Sequence, residues 1–380
     1  MRRIFTLLLA SISLIATAQE RCGTEAHTKN LMSNNANYAT ARDKVNAQTE
    51  KWIENHPNHS EKTIITIPVV VHVVWKTNQE NISNAQIESQ IEILNADFGR
   101  TNIDAINTPS VWQGIAADSE IQFCLAETDP NGNTTTGITR TETTVSQFSM
   151  WGGSSVEDAS DGGIDAWPND DYLNIWICNL GGNLLGYASP PSNWISSNDG
   201  VVVNYPNFGL SGNSNAPYHK GRTATHEVGH WLNLEHIWGD SDCGDDNVND
   251  TPTQVQDNYS CPGFPLVSIC DDPQTVGIIE DNAPNGDMFM NYMDYVNDAC
   301  MNLFTTGQKD RMRSAINLYR SNMTTNNCDG SVGVIDHKNN NRKLIKIVDV
   351  LGRTSTEKQR NTPLFYIYDN GSVEKKIITE

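Results

Sequence analysis

Residues 64–75, from Ile64 through Thr66, Pro68 and His72 to Trp75, are a β-branched run of strand character. Ser83 then caps a helix in which Ile87, Ile91 and Leu94 recur at helical spacing, ending at Asp97 and Phe98. Residues 121–126, 172–178 and 199–204 are three further predicted strands, separated by Gly- and Ser-rich loops. His72 alternates within an apolar strand and is assigned to core packing, and Cys124 to burial as a small apolar residue. Strand, helix, strands and a later histidine-bearing helix describe an α+β fold with a mixed twisted sheet. Residues 19–62 are polar and Asn-rich, with one helix around 38–54 and too little apolar surface to fold alone, which suits a removable pro-segment. Ahead of it, Met1-Arg2-Arg3, the apolar residues 4–16 and the small-residue site Ala16-Thr17-Ala18 read as a signal peptide (1–18) cut before Gln19. That run is too short for a membrane anchor and no later run qualifies, so a soluble exported protein is expected.

The chemistry concentrates at Thr225-His226-Glu227-Val228-Gly229-His230-Trp231-Leu232-Asn233-Leu234-Glu235-His236. Four residues apart on a helix, His226 and His230 share a face and can share a metal ion, with Glu227 beside it as a base for water. A continued helix would carry His236 about 9 Å further along the axis and roughly 80° off that face. The chain must therefore turn before it. Asn233 is the non-glycine type that best tolerates the left-handed conformation such a turn wants. Three neutral imidazole nitrogens leave one tetrahedral zinc position open, the mark of a catalytic site.

Charge and cysteines sharpen this. A net charge of −20 argues against a nucleic-acid partner. Between Thr223 and Gln308 there is no Lys or Arg but fifteen acidic residues, which serve solubility or attract calcium and basic substrate side chains. An exported chain can form disulfides, and Cys243, Cys261, Cys270 and Cys300 follow the histidine segment with three pairings open to them. Cys22, in Arg21-Cys22-Gly23, either blocks the open zinc position as a thiolate or pairs with another cysteine.

The three histidines, the methionine-containing turn Asn291-Tyr292-Met293-Asp294-Tyr295, and the flanking residues 221–225 and 300–308 resemble the pappalysin branch of the metzincin zinc peptidases, most of all its bacterial cytophagalysin or ulilysin-like members. The likeness runs from about Ile64 to Met312, with a physically mild departure at Asn233, where the family usually has glycine. The resemblance implies a catalytic domain over 63–328 with an active-site helix and a loop-rich C-terminal subdomain. It makes Met293 an apolar floor under the metal and Tyr295 a phenol aimed at the oxyanion. It implies pairs Cys243–Cys270 and Cys261–Cys300, a cysteine switch at Cys22, and a calcium loop over 244–252 with Asp246, Val248 and Thr251 as candidate ligands. Relatives prefer Arg or Lys just after the cleaved bond, and Asp298 is the candidate reader, although a calcium ligand or surface charge is equally open to it. After a linker (329–341), strand-like pieces at 343–350, 364–369 and 373–379 form a small all-β tail (342–380) that resembles the sorting domain of the type IX secretion route, and so implies secretion machinery as a partner; otherwise it is a β appendage for some other partner.

The expectation is a secreted zinc endopeptidase of proteins and peptides, made latent, with zinc on His226, His230 and His236 and Glu227 as general base and then acid. Two competitors remain: a noncatalytic surface adhesin on a peptidase-like scaffold, and a peptidase of another clan whose third ligand is a downstream Glu.

Overall fold

The computed structural model describes residues 21–56, 63–192, 198–210, 216–271, 279–282, 284–324, 344–348, 353–355, 363–368 and 373–377. The stretches expected to be a signal peptide (1–18) and a linker (329–341), and Cys328, lie outside them. Residues 1–330 and 331–380 form two separate units.

The segment at 21–56 holds two helices where one was expected, α1 (Thr24–Asn34) and α2 (Ala36–Asn55). Asn35 makes the break by accepting from the backbone N–H groups of Asn37 and Tyr38, an N-cap for α2. The first helix has only two large apolar residues, Leu31 and Met32, and they are adjacent, so no helical spacing marked it in the sequence.

β1 (Ile65–Trp75) is the sheet's centre and is almost wholly buried. α3 (Asn84–Phe98) follows, capped by Ser83 as its spacing predicts. β2 (Ile121–Leu125) and β3 (Ile138–Glu142) pair in succession along one edge of β1, and β4 (Leu173–Cys178) along the other. β5 (Gly186–Ala188) and β6 (Val201–Asn204) complete six strands among the described residues, in the order β2-β1-β4-β6-β5 with β3 also on β1. All pairings are parallel except β5 with β6, which makes the sheet mixed. β3 and β5 escaped the sequence because one is polar and the other only three residues long. His72 is fully buried between Thr139 Oγ1 and Asn174 Oδ1, at 2.7 and 3.0 Å, as a packed core histidine. Cys124 is a correction: it is disulfide-bonded, and it is half-buried because it alternates with the core-facing Ile121 and Phe123 and so lies on the other face of β2.

α4 (Arg222–Trp231) lies against β5 and β6, and every residue of it is buried. Arg222 roots it. The guanidinium Nε is 2.8 Å from Asp97 of α3 and Nη2 is 3.1 Å from Asp104, so removing it would strand two buried carboxylates, a class of change that costs about 3–5 kcal/mol. At the other end Arg320 stacks 3.7 Å over the Trp231 ring and donates to Trp231 O, placing positive charge at the carbonyl end of the helix dipole. β7 (Ile269–Asp271) and β8 (Ile279–Asp281) form a small hairpin in the acidic region. α5 (Thr306–Tyr319) starts with a capping box between Thr305 and Gln308, and packs on α2.

In the other unit, β9 (Leu344–Val348), β10 (Pro363–Tyr368) and β11 (Val373–Ile377) form an antiparallel sheet in the order β11-β10-β9.

Candidate metal centre and its surroundings

α4 presents His226 and His230 on one face, and the chain then turns through Asn233 at φ +73° to return His236 to them. Each ring is oriented from behind. Tyr292 O lies 2.7 Å from His226 Nδ1, Leu234 O lies 2.8 Å from His230 Nδ1, and the Asp240 carboxylate contacts His236 Nδ1. Carbonyls only accept, so Nδ1 of the first two rings carries the proton and their Nε2 atoms are bare lone pairs. Those two Nε2 atoms and that of His236 lie 3.0, 3.1 and 3.2 Å from one another. Lone pairs so close repel unless a positive centre sits among them, and imidazoles backed by carbonyls and a carboxylate are what a metal-binding histidine set requires. The donor set fits zinc. Burial, reinforced by the neighbouring rings, holds His226 well below its ordinary pKa and His230 at about 3. Burial also works against charging His236, but Asp240 outweighs it and raises that ring. Asp240 was missed in the sequence; its signal is a carboxylate four residues beyond the third histidine.

Glu227 is fully buried beside the rings. Its Oε2 accepts from Thr24 Oγ1 at 2.9 Å and lies 3.3 Å from Cys22 Sγ, while Oε1 has no partner among the described residues. Burial pushes its carboxyl up to about 7, against the downward pull of those hydrogen bonds. Gly186 of β5 makes room for it, since a Cβ there would come within 2.8 Å of Val202 O and 3.0 Å of Glu227 Cγ. Cys22 Sγ joins the three histidines in one cluster whose ligand atoms lie within 4.8 Å of one another. The thiol is buried, and burial together with the Glu227 charge pushes its pKa well up. Among the described residues it is a free cysteine, and the other free one, Cys178, is buried in the core.

The turn after the acidic region lies beneath. Met293 Sδ sits 2.5 Å from where a Cβ on Gly229 would stand, so the helix approaches it only through a glycine. Asn291 holds the turn by exchanging two hydrogen bonds with Gln308 of α5, at 2.8 and 3.0 Å, and by accepting from Met293 N. Tyr295 packs its ring 4.9 Å from His236 and 5.7 Å from His226, with its hydroxyl 3.5 Å from Cys22 O. Asp298 is fully buried, and Arg21 lies against it with Nη2–Oδ1 at 3.5 Å, while Lys220 N donates to its other oxygen at 2.7 Å. Thr24 was not singled out in the sequence and Arg21 entered only within the Arg21-Cys22-Gly23 motif, because nothing local marks either as a partner of residues more than 200 positions away.

The remaining candidates fall further out. Thr251 Oγ1 lies 2.9 and 3.0 Å from the Asp246 carboxylate oxygens and 2.7 Å from Val248 O. Burial pushes Asp246 up to about 7. Cys243 is bonded to Cys270 and Cys261 to Cys300, with Cα–Cα distances of 5.6 and 5.8 Å. Nearby Asp250 accepts from Thr305 Oγ1 and Gly307 N, fastening the acidic region to the start of α5.

Comparison with known proteins agrees with this geometry. The model of peptidase family M43, described as pregnancy-associated plasma protein-A, matches residues 158–317, which include α4, all three histidines and the methionine turn. Mature mirolysin of Tannerella forsythia, solved in complex with a cleaved peptide, is 51% identical and superposes with a TM-score of 0.64 over 69% of this chain and 96% of that one. A mutant of Tannerella forsythia promirolysin is 46% identical, with a TM-score of 0.70 over 80% of this chain and 97% of its own. An extracellular metalloprotease of Pyricularia oryzae is 28% identical over 329 residues, 84% of this chain and 96% of that protein. With a metzincin sheet, a histidine cluster and relatives of this similarity, the chain belongs to the pappalysin family of metallopeptidases.

Proposed function

We propose that the protein is the latent precursor of a secreted, zinc-dependent endopeptidase, with residues 1–18 as signal peptide, 19–62 as pro-segment and 63–328 as catalytic domain. The observation that carries this is the convergence of three Nε2 atoms, Cys22 Sγ and the Glu227 carboxylate in one buried site. His226, His230 and His236 would hold zinc, which would supply Lewis acidity toward a peptide carbonyl and water. Glu227 takes a proton from the attacking water and returns it to the departing amine. Its place beside the three rings puts the carboxylate within reach of both transfers. The Tyr295 phenol donates to the oxyanion that develops on the scissile carbonyl, and Met293 keeps the floor apolar.

Latency follows from the same contacts. Thr24 and Cys22 occupy Glu227, and Cys22 takes the position a substrate needs. The pro-segment also runs backwards. Cys22 bridges Gly186 in parallel, and Gly23 N donates to Gly186 O at 2.9 Å, while the preceding Arg21 fills the Asp298 pocket. A substrate whose residue after the scissile bond entered that pocket would travel along β5 in the opposite sense. Asp298 with Arg21 against it supports the reading that the enzyme favours Arg or Lys at that position.

Asp246, Val248 O and Thr251 are proposed to hold calcium, supported by a buried carboxylate with two further oxygens around it. The unit at 331–380 is proposed to carry the sorting module of the type IX route, supported by its separate three-stranded sheet.

Glu227→Ala should abolish peptide hydrolysis while the purified protein keeps one zinc per chain by elemental analysis; retained turnover would refute its role. In mass-spectrometric profiling of a peptide library, Asp298→Asn should cut the preference for Arg and Lys after the scissile bond by about tenfold or more, and an unchanged profile would remove Asp298 from specificity. Adding calcium to the dialysed protein should raise its thermal midpoint by roughly 5–10 °C, and Asp246→Ala should erase that rise. Truncation after residue 341 should leave the protein inside the producing cell, and normal release would dismiss the sorting role.

A further inference from the structure

Asn233 is an uneconomical residue for its position. Its φ of +73° is one that glycine adopts freely and an L side chain adopts at a cost of roughly 1 kcal/mol. The side chain is nevertheless fully buried, and its amide is used on both sides by α2. Arg42 Nη1 donates to Asn233 Oδ1 at 2.9 Å, and Asn233 Nδ2 donates to Thr49 Oγ1 at 3.2 Å. Arg42 also donates to Pro191 O at 2.6 Å. One turn along, Asn46 donates to Glu235 at 3.2 Å and accepts from Arg311 of α5 at 2.7 Å. Arg311 in turn donates to Asn233 O at 2.6 Å. Arg42, Asn46 and Thr49 are spaced by four and three residues, so they form a single stripe on α2. That stripe reads the turn between His230 and His236. None of its contacts involves the histidine rings, Cys22 or Glu227.

We propose that this stripe is a second lock on the precursor, independent of the metal: α2 docks on the Asn233 turn as a helix-recognition surface, and activation requires α2 to leave it as well as Cys22 to leave the histidines. The docking itself is a property of the fold. Its consequence for activity rests on the reading of the chain as a latent peptidase. A hydrogen bond to a charged group is worth enough for the loss of one to change a local opening equilibrium about tenfold or more. Breaking the Arg42–Asn233 contact should therefore free α2 without disturbing residues 21–24.

Amide hydrogen exchange on the intact precursor separates the two locks. In Asn233→Gly, which keeps the turn's backbone preference, amides of α2 should exchange about tenfold faster or more, while those of residues 21–24 and α4 stay protected. Arg42→Ala, which alters only the α2 side, should do the same. Asn233→Asp retains an acceptor for Arg42 and should restore protection. Cys22→Ala should leave α2 exchange within about twofold. Unchanged α2 exchange in both Asn233→Gly and Arg42→Ala, or loss of α2 protection in Cys22→Ala, would overturn the proposal. Where the variants activate, the lag before peptide cleavage should shorten in Asn233→Gly, in Cys22→Ala and most in their combination. A precursor with no hydrolysis under any condition would count against the peptidase reading, while the exchange result would still decide the lock.

Discussion

Three imidazoles forced to aim their bare nitrogens at one point are the constraint around which this molecule is arranged. The force comes from behind the rings. A carbonyl from the methionine turn, a carbonyl from the turn after α4 and a carboxylate from Asp240 fix the outward nitrogens and leave the inward ones without protons of their own to share. Such an arrangement is electrostatically poor without a cation, and three separate stretches of chain must be held rigidly to maintain it.

Much of the rest of the larger unit supplies that rigidity. Arg222 ties the start of α4 to α3 through Asp97 and Asp104, and Tyr292, whose carbonyl orients His226, hydrogen-bonds through its hydroxyl to the same Asp97. Gln308 of α5 clamps Asn291 at the head of the turn. Two disulfides and Asp250 fasten the acidic region, which has few apolar residues to hold itself. Residues 21–56 exploit the same framework, since Cys22, Thr24, Arg21 and α2 each engage groups that the framework has already fixed in place.

What the sequence made legible follows from how local the signal is. The first two histidines and Glu227 are written at helical spacing, and the third histidine follows because the intervening turn has a residue suited to positive φ. β1 and α3 are long and periodic, and both stand where the pattern placed them. By contrast, β5 is three residues long, yet it supplies the edge against which residues 22 and 23 lie. Arg21 meets Asp298 across 277 positions, a pairing no local pattern encodes. Cys124 looked like a small core residue because its neighbours are apolar, whereas it is disulfide-bonded, which no local pattern encodes. Asn233 showed that a turn was possible, but not that its amide would be gripped by a helix from another part of the molecule.

The central claim concerns what sits among the three nitrogens, and zinc K-edge absorption of the purified precursor reads it directly. The account predicts one zinc per chain, with three nitrogen neighbours at about 2.0–2.1 Å and a single sulfur at about 2.3 Å that disappears in Cys22→Ala while the nitrogen shell remains. A precursor without bound metal, or a metal surrounded by oxygen alone, would contradict it.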